Sequence, residues 1–121
     1  MNKTDTIISI VNLPEKFNNS ENNKSIYSLL KETGYFELHS QINEDDIGKA
    51  LAKHPTYINQ WLQWSEDKRS SSGWYFQKND SHNYIVSYFP TNENFEQTIY
   101  SNIRNACAAF IKREIEAIRK I

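Results

Sequence analysis

At 121 residues, 38% hydrophobic and 24% charged, the chain fits one domain able to bury a core without metals or disulfides. A formal net charge of −1 excludes bulk attraction to nucleic acid or an anionic membrane. The single cysteine, Cys107, excludes an internal disulfide and suits a reducing compartment, and no apolar run approaches the roughly 20 residues of a membrane helix.

Residues 4–13 carry Ile7, Ile8, Ile10, Val11 and Leu13, which suit a helical turn or two, or a short strand; Pro14 limits both. This run is broken by Ser9 and Asn12 and has no small-residue cleavage site, so the expectation is no signal peptide and a cytoplasmic location. Asn18 to Lys24 is a polar connector expected to form an exposed loop. A single domain is expected over 1–121, with 1–24 as an N-terminal segment and connector and 25–121 as the core.

Ser25 is placed to cap a short helix whose inner face holds Ile26, Leu29, Leu30 and Thr33, and Gly34 stands at the left-handed residue after it. Tyr35 to Leu38 has no clear period. The next helix is marked by Asn43 as N-cap and by Glu44, Asp45 and Asp46 on the first turn, where the dipole favours carboxylates. Ile42 and Ile47 form a hydrophobic staple across that cap. His54 precedes Pro55 and ends the helix; Pro55 opens another that runs to about Arg69. At 100° per residue, Tyr57, Ile58, Trp61, Leu62, Trp64 and Ser65 fall on one face, so both tryptophans turn inward.

Ser70 to Gly73 breaks this helix. Trp74–Lys78 and Tyr84–Phe89 then read as a hairpin. A five-residue loop would put Trp74, Phe76, Val86 and Tyr88 on one face, a four-residue loop would mix the faces, and the pattern leaves the choice open. Two strands alone are marginal, so the hairpin must pack on helices or on a third strand. A long last helix is expected from a capping box of Asn94 and Gln97, with Glu93 and Glu96 near its positive end. Its stripe of Phe95, Ile99, Ile103, Ala106, Cys107, Phe110, Ile111, Ile115 and Ile118 spans nearly seven turns. The expected architecture is α+β: mainly a helical bundle, with a β-hairpin packed against it and a long C-terminal helix.

No chemistry-bearing cluster emerges from the spacing. His39, His54 and His82 lack a second ligand at metal spacing, and Cys107 sits among alanines on the apolar stripe, which suits a small buried residue better than a nucleophile. No metal, cofactor or catalytic residue is expected. Residues 44–63 offer a sharper alternative. Ile47, Gly48, Leu51, Ala52, Ile58 and Trp61 match helix-turn-helix spacing, which would aim Thr56, Asn59, Gln60 and Gln63 at the major groove of DNA. Against this regulator reading, the second helix has no Arg or Lys before Lys68, although phosphate contacts supply most DNA affinity.

Nine of the sixteen aromatic residues lie between Tyr57 and Phe89, which is therefore the expected heart of the core. The segment Ser65-Glu-Asp-Lys-Arg-Ser-Ser-Ser-Gly-Trp-Tyr-Phe76, the hairpin, and a helix carrying Ala106-Cys-Ala108 and Ile111-Lys-Arg-Glu114 together resemble small bacterial immunity proteins of contact-dependent growth inhibition and related polymorphic toxin systems. The likeness covers about residues 43–118 and describes a scaffold. It implies a non-enzymatic protein that binds a cognate toxin domain, often a nuclease, and blocks its active site in the cytoplasm, with no cofactor, nucleic acid or membrane involved. Contact residues do not carry over from such a family. The residues themselves suggest Glu44, Asp45 and Asp46, with Glu66 and Asp67, as carboxylates that would meet a basic partner.

Overall fold

Six consecutive residues of one helix, Ala106 to Ile111, are all buried, and this makes the C-terminal helix the axis of the fold. A helix buried all round must have neighbours on every side. A computed structural model describes residues 2–19, 25–67, 73–78, 82–89 and 97–120, the side chains of Asp67 and Phe89 excepted. The described elements, in order, are α1 (Lys3–Val11), α2 (Leu13–Asn18), α3 (Ile26–Glu32), α4 (Tyr35–Leu38), a 3-10 turn at His39–Gln41, α5 (Glu44–Lys53), α6 (Thr56–Asp67), β1 (Gly73–Lys78), β2 (Tyr84–Phe89), β3 (Gln97–Tyr100) and α7 (Ile103–Arg119). Helices α3, α5 and α6 and all three strands pack on α7, so the fold is α+β, mostly helical, with a small antiparallel sheet of order β1-β2-β3.

The N-terminal apolar run is helical, begun by the Asn2 side chain, which accepts from the Asp5 N–H. Ile10, Val11 and Leu13 are fully buried, so the core reaches into the segment placed ahead of it by sequence. Two polar ties hold α1 in place. Trp61 Nε1 donates to the Val11 carbonyl at 2.9 Å, and Thr6 Oγ1 donates to the Thr33 carbonyl at 2.8 Å. Both span long sequence separations, which periodicity cannot report.

Local signals elsewhere translate directly. The Ser25 side chain caps α3, and Gly34 takes φ 88°, the left-handed region that glycine enters without steric cost. Asn43 caps α5, with Ile42 and Ile47 buried on either side of the cap. On α6, Ile58, Trp61 and Ser65 are buried while Tyr57, Leu62 and Trp64 are half-buried, which is the expected face. The helix is described to Asp67; Lys68 to Ser72, including the expected break from Ser70, lie outside the described residues.

Register settles the open question in the hairpin. Lys78 faces Tyr84, Phe76 faces Val86 and Trp74 faces Tyr88, so five residues separate the strands. Phe76 and Val86 are fully buried, and the Phe76 ring meets Phe110 of α7 at 5.0 Å with the planes tilted by 36°. Trp74 meets Tyr88 edge to face at 5.4 Å on the same side of the sheet.

One expectation is overturned. Gln97–Tyr100 is a strand and not the first turn of the last helix, and Glu93, Asn94, Phe95 and Glu96 lie outside the described residues. Thr98, Ile99 and Tyr100 are residues that suit strands, and β3 pairs with the backbone groups β2 presents on the side away from β1. Ile99 stands opposite Ile85 and is 58% exposed, so it leaves the helical stripe altogether. The helix starts at Ile103, where Asn102 accepts from the Asn105 N–H at 3.1 Å. Its 17 residues make about 4.7 turns, shorter than the nearly seven expected.

Candidate functional site

The three carboxylates on the first turn of α5 have separate roles. Asp46 completes a capping box: Asn43 Oδ1 accepts from the Asp46 N–H at 2.9 Å, and Asp46 Oδ2 accepts from the Asn43 N–H at 3.1 Å. Lys3 Nζ also stands 3.3 Å from Asp46 Oδ2, tying α1 to this cap. Asp45 pairs with Lys49 one turn on, at 3.2 Å, with both side chains about three-quarters exposed. Such a pair adds little stability and leaves its charges open to solvent. Glu44 is exposed and has no ion pair among the described residues. Its charge is still felt across the helix gap, at Tyr100 and Lys112.

Glu44 and Asp45 stand on the rim of an open groove of about 350 Å³ between α5 and α7. Gly48 and Ala108 lie where the helices cross. A Cβ added to Gly48 would stand 3.8 Å from the Ala108 Cβ, so two small residues let the backbones approach while longer side chains splay above. Tyr100, Arg104 and Asn105 close the far wall. Arg104 is exposed with no ion pair among the described residues. Burial, and then the Glu44 charge, push the Tyr100 phenol above its ordinary range, while Arg113 and a bond with Thr98 pull the other way. The groove thus carries both signs of charge, a neutral phenol and an apolar floor. It can take up protruding side chains of a partner.

Glu66 is exposed near the C-terminal end of α6 and does not line this groove; the side chain of Asp67 lies outside the described residues. The five carboxylates singled out by sequence therefore divide into one exposed at the groove with no ion pair among the described residues (Glu44), one paired on the surface (Asp45), one structural (Asp46) and a separate α6 end. Sequence reasoning missed Tyr100 and Arg104. Both fell off the stripe of an assumed helix, and the strand-to-helix corner that aims them at α5 is set by long-range pairing.

The remaining candidates are scattered. His54 stacks on Tyr57 at 5.4 Å, His39 meets the Tyr35 ring at 6.4 Å, and His82 is exposed in the hairpin loop with φ 65°. Cys107 is fully buried, and burial pushes its thiol well above the ordinary range, which removes it from thiolate chemistry. Among the described residues no group of three or more His, Cys, Asp or Glu is placed to hold a metal ion, and no helix is long and apolar enough to cross a membrane. Of the side chains considered for DNA contact, Thr56, Asn59 and Gln63 are exposed. Gln60 is half-buried beside Pro14, Asn18 and Trp64 with its Oε1 buried. No protein-family model, curated protein or solved structure matches the chain.

Proposed function

We propose that the chain is an immunity protein that binds a cognate toxin domain in the cytoplasm and covers its active site, with a nuclease as the favoured class of toxin. The observation that carries this reading is Glu44: an exposed carboxylate without an ion pair among the described residues, at the mouth of a groove that can accept partner side chains. An exposed negative charge beside such a groove suits the phosphate-binding cleft of a basic nuclease, where it would speed encounter and occupy the place of substrate phosphate. A standard interface takes about 800 Å² from each partner, roughly a ninth of the 7144 Å² surface of this chain. The family resemblance over residues 43–118 points the same way.

The test is co-expression with the toxin domain encoded beside it. Restored growth together with co-purification of a one-to-one complex is the expected result. Failure of both overturns the reading. Salt-dependent retardation of duplex DNA by the purified chain would instead support the helix-turn-helix alternative at residues 44–63.

A further inference from the structure

The two edges of the sheet differ. Helix α6 packs along β1, whereas β3 packs on β2 and on α7 beneath it. Among the described residues no backbone hydrogen bond reaches the outer side of β3. An open edge offers unpaired N–H and C=O groups to another strand, and proteins guard such edges with Lys, Pro or other charges. β3 reads Gln97-Thr-Ile-Tyr100 and carries none of these. Its only guard is its shortness.

The edge is also held ready. Thr98 Oγ1 accepts from Arg113 Nη2 at 3.1 Å, which ties the inner face of β3 to α7, and Thr98 and Tyr100 are half-buried on that face. Gln97 and Ile99 point the other way. Ile99, 58% exposed, is the most exposed large apolar side chain among the described residues. It stands opposite the half-buried Ile85 of β2, so the outer face of the sheet reaches its edge as a pair of isoleucines.

We propose that β3 pairs antiparallel with β3 of a second copy of this chain, about a two-fold axis at Ile99, joining two sheets into one of six strands. Three features select a copy over another partner. Antiparallel pairing is itself two-fold symmetric, so the strand is complementary to itself and the contact closes as a dimer. Residues directly opposite one another share a face, so the axis must pass between a residue and its own counterpart. At Ile99 it sets the two exposed isoleucines side by side and extends Ile85–Ile99 into a row of four across the joined sheet; at Thr98 it would set each Ile99 against Gln97. The strand is uncharged and the chain carries a net charge of −1, so neither the edge nor the long-range field repels a copy. Four residues a side make a small contact, which places the dimer among weak interfaces, with a dissociation constant on the order of 100 µM. The dimer does not depend on the toxin-binding reading, and its test needs no toxin.

The experiment is sedimentation velocity of the intact chain from about 5 µM to about 1 mM, a range that brackets this affinity. The average mass should rise from that of one chain toward that of two, with no larger species. Ile99→Lys, at an exposed position, sets like charges together at the axis and should weaken association more than about tenfold with the urea midpoint nearly unchanged. Ile8→Lys, at an exposed isoleucine on α1, should leave association unaltered and so separates strand pairing from non-specific contact. The register is read by oxidation. Ile99→Cys should link the copies faster than Gln97→Cys, because only position 99 meets its own counterpart within disulfide reach, and Cys107 is buried. A chain that stays monomeric to about 1 mM, ten times the expected constant, overturns the proposal. So does association that survives Ile99→Lys, that falls equally in Ile8→Lys, or that links faster through Gln97→Cys.

Discussion

The Ser65 hydroxyl bonds to both backbone groups of a single residue, Phe76: Oγ accepts from the Phe76 N–H at 2.8 Å and donates to the Phe76 carbonyl at 3.0 Å. Ser65 is buried on α6, and Phe76 belongs to β1, an edge strand of the sheet. One side chain therefore does for the edge of β1 what a neighbouring strand would do, and α6 covers that edge against pairing with another chain.

Ser65→Ala should cost about 2–6 kcal/mol, because it strands a buried N–H and a buried carbonyl at roughly 1–3 kcal/mol each. Urea unfolding followed by tryptophan fluorescence measures this. A loss below about 0.5 kcal/mol, the level of an ordinary surface change, would mean the two bonds do not hold the edge.

Gly48→Ala should stabilise the chain by about 0.5–1 kcal/mol, the usual gain for replacing a helical glycine. The added methyl group meets Ala108 at an ordinary contact distance of 3.8 Å, so the α5–α7 crossing need not open. A lower melting temperature for this variant would show that the helices are closer than this spacing allows.

The acidic turn of α5 must be tested one carboxylate at a time. Reversing charge at Asp45 and Asp46 together would confuse partner contact with stability, because Asp46 serves the capping box and Lys3. Asp46→Ala should cost about 1 kcal/mol. Glu44→Lys should leave stability within about 0.5 kcal/mol and, on the proposed function, slow toxin association several-fold at low salt. Stopped-flow rates that match those of the unaltered chain would remove Glu44 from the interface.

Glu116 gives the stability a pH dependence whose sign follows from its partners. Burial would raise its carboxyl, but the Arg119 hydrogen bond and the charges of Lys112, Arg119 and His39 outweigh that and hold it below the ordinary range. Its contribution is therefore complete above the unfolded carboxylate value of about 4.3 and fades as pH falls through the lower folded value. Between about pH 6 and pH 3, the unaltered chain should lose more stability than Glu116→Gln, so their urea midpoints should converge. Parallel curves would mean that Glu116 titrates as it does in the unfolded chain.

Most of the helices were legible because their signals are local. The Asn43 box, the Ser25 cap, Gly34 and the inward face of α6 each depend on residues within a turn or two of one another. The groove was legible only in part. Glu44 announced itself by its place on a first turn, whereas Tyr100 and Arg104 were hidden by a helix drawn two turns too long. Ile99 fits a helical stripe as well as a strand, and the choice falls to β2, which offers this segment an edge to pair with.

The sequence by itself determined that helices and a hairpin would form around Trp61, Phe76 and the C-terminal stripe, because burial pattern and capping chemistry act over short separations. Only the tertiary structure decided that β3 completes the sheet, that α1 enters the core through Val11 and Trp61, and that Arg113 lies over Trp74. Those relationships join residues from 39 to 50 positions apart in two cases, and a strand to its neighbour in the third. They are selected by which surfaces remain to be covered once the local elements have formed.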